Sequence, residues 1–294
     1  MWISVGSADE PPFGSKTDTM AYSYDGITWT GLGKDIFSYV GNVVIWNGEK
    51  WMAGGNGTNA LAYSTDGLNW TGLGTDPLVF AEGVAWGQNK WIAVGGPLHH
   101  SIAFSSDGIN WVGLGMNIFS FHGYDVACNG SQWVAVGYGT NALAYSSDGL
   151  SWTGLGTTIL SIGRSVSYNN SLWIALGDAP NNTIAYSTDG IEWTGLGNSI
   201  FSVRGMGLGW NGSMFVAVGE GNNTVAYSID GLEWTGLGTT VFPWRGEDVI
   251  WNGEKWYAVG QSTSSVFSSV DGITWEETGT LPFTSGYDLA YSSS

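Results

Sequence analysis

Apolar and polar residues alternate with a period of two along most of the chain, in runs of about five residues that stop at Gly, Asn or Asp. Around residue 148 these runs are Asp125–Asn129, Gln132–Gly137, Ala142–Ser146 and Leu150–Leu155. Such alternation turns one face of a strand to a core and the other to solvent. The pairs Asn47-Gly48, Asn129-Gly130, Asn211-Gly212 and Asn252-Gly253 separate a first run from a second and carry the signature of a type I′ hairpin. Asp-Gly pairs separate the third run from the fourth in the same way. No stretch has a 3.6-residue period, and Gly or β-branched residues interrupt every candidate helix, so the predicted class is all-β.

A word of the form Ser-x-Asp-Gly-x-x-Trp, with close variants, recurs with its aspartate at Asp25, Asp66, Asp107, Asp148, Asp189, Asp230 and Asp271, always 41 residues apart. About forty residues folded as four antiparallel strands make one propeller blade, so seven copies predict a seven-bladed β-propeller occupying residues 1–294 as one domain. Blades two to seven are expected at about 42–74, 83–115, 124–156, 165–197, 206–238 and 247–279. Blade one combines residues 2–33 with 287–291, so the ring closes by pairing the last strand, Tyr287–Tyr291, with the first, Trp2–Gly6. Closure of this kind leaves no long edge exposed.

The repeated word resembles the Asp-box of bacterial neuraminidase repeats, with one residue fewer between Asp and Gly. The whole unit, with its Trp-x-Ala-Val-Gly and Trp-Thr-Gly-Leu-Gly segments, is similar to uncharacterised propeller repeats of large viruses and bacteria. That resemblance implies that the seven aspartates brace hairpins and take no part in chemistry, which agrees with the habit of turn carboxylates of accepting backbone N–H bonds. Seventeen of the eighteen Trp residues also follow the repeat and are assigned to packing between blades; only Trp244 is left over.

Composition narrows the function. Eight Lys and Arg against twenty-five Asp and Glu give a net charge of −17, which disfavours nucleic acid. No apolar run approaches the ~20 residues of a membrane helix, so no membrane insertion is expected. The start has no basic segment followed by an apolar one, so no signal peptide is expected within the chain. A single cysteine, Cys128, leaves no disulfide and no multi-cysteine metal site. No cofactor or metal is expected: Asp9, Glu10 and Asp18 match no calcium-loop spacing, and His99 and His100 stand without a third histidine nearby.

Candidate function falls where the repeat is broken. The loops leading into the first strands carry Glu82, His122, Tyr124, Asp125, Arg164, Arg204, Trp244, Arg245, Glu247, Asp248, Tyr287 and Asp288, and they surround the channel mouth. Arg164, Arg204 and Arg245 are the only arginines, and they lie in three successive blades. Either they balance an acidic rim or they read a ligand. In the second case Arg164, Arg204, Arg245, Trp244, His122, Tyr124, Glu247 and Tyr287 form the candidate site, with Arg suited to carboxylate or sugar oxygens and Trp244 to a sugar face. On the same face, Asn59, Asn141, Asn182 and Asn223 are candidate repeated amide sites for multivalent glycan binding. Blade one carries eight extra residues between Ser7 and Met20, including Asp9, Glu10, Phe13 and Lys16. Seven Asn-x-Ser/Thr sequons occur as well, at Asn56, Asn69, Asn129, Asn169, Asn181, Asn211 and Asn222.

The expected function is non-enzymatic binding of a glycan through the mouth face, with a structural or protein-interaction platform as the alternative. An extracellular, virion or cell-surface setting suits either. Three arginines on neighbouring blades are also similar to the carboxylate clamp of sialidases, which would make Tyr124 or Tyr287 the nucleophile, Glu247 its base and Asp125 the acid. Against this stand the seven repeats, the absence of an Arg-Ile-Pro word and the different alignment position of Arg164.

Overall fold

A computed structural model describes residues 1–8, 16–96, 98–261 and 263–292; Asp9, Glu10 and Phe13 of the inserted loop, with Pro97 and Ser262, lie outside the described residues. Every regular element among the described residues is a β-strand. The unit around Asp148 runs His122–Cys128, Trp133–Tyr138, Leu143–Ser146 and the short Thr153–Gly154, each strand antiparallel to the next. The same order of strands repeats along the chain. In the unit around Asp25 the first strand comes from the other end of the chain: Ser285–Tyr291 pairs with Trp2–Ser7, placing Trp2 opposite Tyr291 and Val5 opposite Asp288. The Met1 amino group donates to the Ser292 carbonyl at 2.9 Å.

The first strands begin at Val40, Phe80, His122, Gly163, Arg204, Arg245 and Ser285. They lie side by side in that order, and the strand from Ser285 touches both the strand from Arg245 and the strand from Val40. Apolar clusters fill the wedges between neighbouring sheets. Val134 and Val136 of one sheet pack on Val166, Trp173 and Ala175 of the next, and Tyr257 and Val259 pack on Trp2 and Leu289 across the chain ends. Second-strand Trp2, Trp51, Trp91, Trp133, Trp173 and Trp256 are buried, with Phe215 in the remaining unit.

A second periodic feature closes each wedge near the mouth. Phe37, Leu78, Phe119, Leu160, Phe201, Phe242 and Phe283, 41 residues apart, are all fully buried in the connections between units. In six of the units the glycine near the end of the second strand makes room for this plug: a Cβ on Gly55, Gly137 or Gly260 would come within 2.6 Å of the ring of Phe37, Phe119 or Phe242.

The Asp-Gly hairpins lie on the face opposite the plugs. Asp148 Oδ1 accepts the Leu150 and Ser151 N–H groups, both at 2.8 Å, and the Ser146 hydroxyl at 3.0 Å. Gly149 follows at φ +72°, a left-handed conformation that glycine adopts without strain, and donates to Ser146 Oγ. Asp25, Asp66, Asp107, Asp189, Asp230 and Asp271 accept the corresponding pair of N–H bonds. Those bonds favour the charged form and hold the Asp25 and Asp271 carboxyls down at about 2.

The Asn-Gly hairpins differ from the type I′ expectation. Only the glycine has positive φ, as at Gly48 (+100°), where type I′ requires two such residues. Asn47 stays out of that region because its Oδ1 accepts the Glu49 and Lys50 N–H groups, which makes an Asx-turn. The type I′ pair of positive φ angles occurs instead at Gln88 (49°) and Asn89 (57°).

Candidate functional site

In every first strand the register against the second strand skips one residue. The skipped residues are Asn42, Glu82, Tyr124, Arg164, Met206, Glu247 and Tyr287. A bulge re-aims the side chain it carries. All seven line one cavity of about 440 Å³ at the mouth of the ring of first strands.

A small residue precedes each bulge for a steric reason. A Cβ on Gly41, Gly123, Gly163, Gly205, Gly246 or Gly286 would lie 2.6–3.0 Å from the Cβ of Val5, Val94, Val136, Leu176, Val218 or Val259 in the preceding unit. One unit inverts the pair, with Ala81 before the bulge and Gly54 facing it. Neighbouring first strands therefore approach closely enough for seven short bulges to surround a single space.

Below the bulges, three aspartates bind the first strands to one another. Asp125 accepts the Val166 N–H (2.9 Å) and the Ser165 hydroxyl (3.1 Å) of the next unit, Asp248 accepts Leu289 N–H (3.1 Å), and Asp288 accepts Val44 N–H (2.6 Å). Burial raises Asp125 to about 6 and outweighs these bonds. Asp248 and Asp288 are also raised by burial, Asp288 further by the neighbouring Asp248 carboxyl.

The three arginines are already paired. Arg164 grips Asp178 through Nε and Nη2, both at 2.8 Å, and its guanidinium stacks over Tyr124 at 4.3 Å. Arg245 binds Glu247 and lies 3.7 Å from Glu220. Arg204 Nε is 3.2 Å from the same Glu220 oxygen, an ion pair that lacks hydrogen-bond alignment. Burial pushes Glu247 up to about 7 despite its arginine. Glu82 also rises to about 7, through burial and the facing Glu247, with Arg164 opposing the shift.

Of the residues expected at the site, Tyr124, Arg164, Arg245, Glu247 and Tyr287 line the cavity. His122 is outside the lining; its ring stacks on Tyr124 and packs at a tilt against Phe80, with Nδ1 buried and unbonded, and burial and Arg164 lower its pKa and favour the neutral ring. Arg204 stays at the rim, and Trp244 is 60 % exposed there, outside the cavity lining. Asn42 and Met206 were not expected; the signal for them was the small residue preceding each bulge.

The repeated amides occupy a different place from the one expected of free ligand groups. Nδ2 of Asn59, Asn141, Asn182 and Asn223 donates to the carbonyl of Ile36, Ile118, Ile159 and Ile200, while Oδ1 accepts the N–H of Gly74, Gly156, Gly197 and Gly238. Both ends of each amide therefore brace the frame. Asp18 and His100 hold the same position in two further units, accepting the Gly33 and Gly115 N–H groups, which gives His100 a structural task. Lys16 of the inserted loop donates to the Leu281 and Phe283 carbonyls.

No family model matches the chain, and no curated protein matches it. Solved structures do. A streptogramin B lyase structure aligns at TM-score 0.73 and 9 % identity over 86 % of this chain and 87 % of its own. YCF48 bound to D1 peptide aligns at 0.59 and 16 % over 81 % and 80 %, and a nidogen/laminin complex at 0.56 and 14 % over 82 % and 94 %. These neighbours are β-propellers. The chain has the β-propeller fold. At such identities the likeness carries architecture alone, and the neighbours include both an enzyme and proteins bound to protein partners.

Proposed function

We propose that the chain is a seven-bladed propeller, closed by Ser285–Tyr291 on Trp2–Ser7 and with shortened Asp-box hairpins, that binds a carbohydrate in the mouth cavity without transforming it. Seven 41-residue units and the order of the first strands support the blade count. The observation that carries the function is the bulge ring, which turns seven different side chains into one space. A volume of about 440 Å³ falls in the range of small-molecule sites, ~300–1,000 Å³. Tyr124 and Tyr287 offer aromatic surface, Glu82 and Glu247 offer acceptors, and Met206 offers an apolar patch, a mixture that suits a ring bearing hydroxyl groups on apolar faces. The arginines favour binding over hydrolysis: each already has a carboxylate partner, so a sialidase-like clamp would have to break those pairs first.

A glycan array tests this reading with the wild type and Met206→Trp, whose larger side chain fills the cavity. Saturable sugar binding that Met206→Trp abolishes at unchanged melting temperature is the expected result; no sugar binding, or binding indifferent to that change, refutes it. The platform alternative draws on the rim, where Tyr39 (72 %), Leu98 (68 %), Phe121 (52 %) and Trp244 (60 %) are exposed on the mouth face. It predicts binding to a protein partner that Trp244→Ala weakens and Met206→Trp leaves intact.

A further inference from the structure

The acidic groups of the cavity are not equivalent. Asp125, Asp248 and Asp288 accept backbone N–H bonds, and Glu247 accepts Arg245. Glu82 lines the same cavity, and among the described residues no hydrogen bond reaches its carboxyl. The cation that acts on it, Arg164, is held by Asp178 in a two-bonded grip and covered by Tyr124. Across the ring stands Glu247: three first strands separate it from Glu82 on one side and two on the other. Two carboxyls thus line one cavity from separate first strands, one bonded to Arg245 and the other without a hydrogen-bonded counter-ion, in a chain of net charge −17. No group of three or more acidic, imidazole or thiol side chains among the described residues is arranged to hold a metal ion.

We propose that the bound carbohydrate is an amino sugar with a free amine, whose ammonium sits between Glu82 and Glu247 and takes Glu82 as its counter-ion. This rests on the mouth cavity being a sugar site. A protonated amine supplies what the site lacks, a hydrogen-bonding cation of compact size, and the carbohydrate ring fills the rest of the space. A neutral or N-acetylated sugar would leave Glu82 unpaired, and an acidic sugar would meet like charge.

The test is titration calorimetry with chitobiose, its N,N′-diacetylated form and cellobiose, against the wild type and Glu82→Gln. Chitobiose is expected to bind the wild type about ten-fold or more tighter than the other two, the scale of a hydrogen bond between charged groups. Glu82→Gln should remove that preference, bringing chitobiose down to the affinity that the same variant shows for cellobiose. Equal affinities for the three disaccharides, or a preference that survives in Glu82→Gln, overturns the assignment of the amine and leaves the sugar site standing. If none of the disaccharides binds, this proposal falls together with the proposed function.

Discussion

An unpaired carboxyl inside the ring should weaken the fold, and Glu82→Gln measures by how much. Burial lifts the Glu82 carboxyl from 4.5 to about 7. A gap of about 2.5 pH units corresponds to about 3.4 kcal/mol at ~1.36 kcal/mol per unit. The group faces a wet cavity, so about half, roughly 1.5–2 kcal/mol, is the realistic figure. The sign follows from the direction of the shift. With a folded-state pKa above the unfolded value, the carboxyl is harmless below pH 4.5, and stability is lost as pH rises toward 7. Glutamine keeps the shape and removes the charge. Glu82→Gln should therefore melt with the wild type at pH 4.5 and about 2–3 °C above it at pH 8. Differential scanning calorimetry at the two pH values reads this directly, and the eighteen Trp residues give a parallel fluorescence signal. An equal difference at both pH values, or a less stable variant at pH 8, would show that the carboxyl is paired and that the reasoning fails.

Phe201→Ala, which empties a fully buried plug, should cost about 3–5 kcal/mol in denaturant melts; a loss under about 1 kcal/mol would mean that the plug does not seal its wedge. Asp148→Ala removes the acceptor of two backbone bonds at the opposite face and should cost about 1 kcal/mol with sugar binding unchanged. A binding defect without a stability defect in that variant would reassign the aspartate. Deleting residues 285–291 uncovers the edge of Trp2–Ser7 and should produce aggregation by light scattering; a monomer with an unchanged melting temperature contradicts closure through this pair.

The all-β class, the repeated four-stranded unit and the hairpin positions were legible because period-two alternation and Asp-Gly words recur at a fixed spacing. Packing was legible in part: tryptophan stands out in a composition, whereas the plug at Phe37 and Leu78 looks like any apolar residue until its spacing is counted. The site was legible as a list without its geometry. Arg164 and Arg245 occupy neighbouring positions of the 41-residue repeat, yet one sits on a bulge and the other two positions before a bulge, a distinction set by the close approach of Gly163 to Val136 and Gly246 to Val218. The inward bonding of the amides at Asn59 and Asn182 was not legible, because asparagine in a loop usually faces water. Here each opposes a glycine, Gly72 or Gly195, that leaves space for the amide to turn inward.

Met1 and Ser292 are hydrogen-bonded to each other, and Met1 lies against Gly67, in one of the Asp-Gly hairpins. Strands of six or seven residues, ~20 Å long, separate that face from the mouth. A tag, a bead or a neighbouring domain attached at either terminus therefore leaves the cavity turned outward. A short linker from residue 292 back to residue 1 would make a circular chain that can be reopened at any of the hairpins.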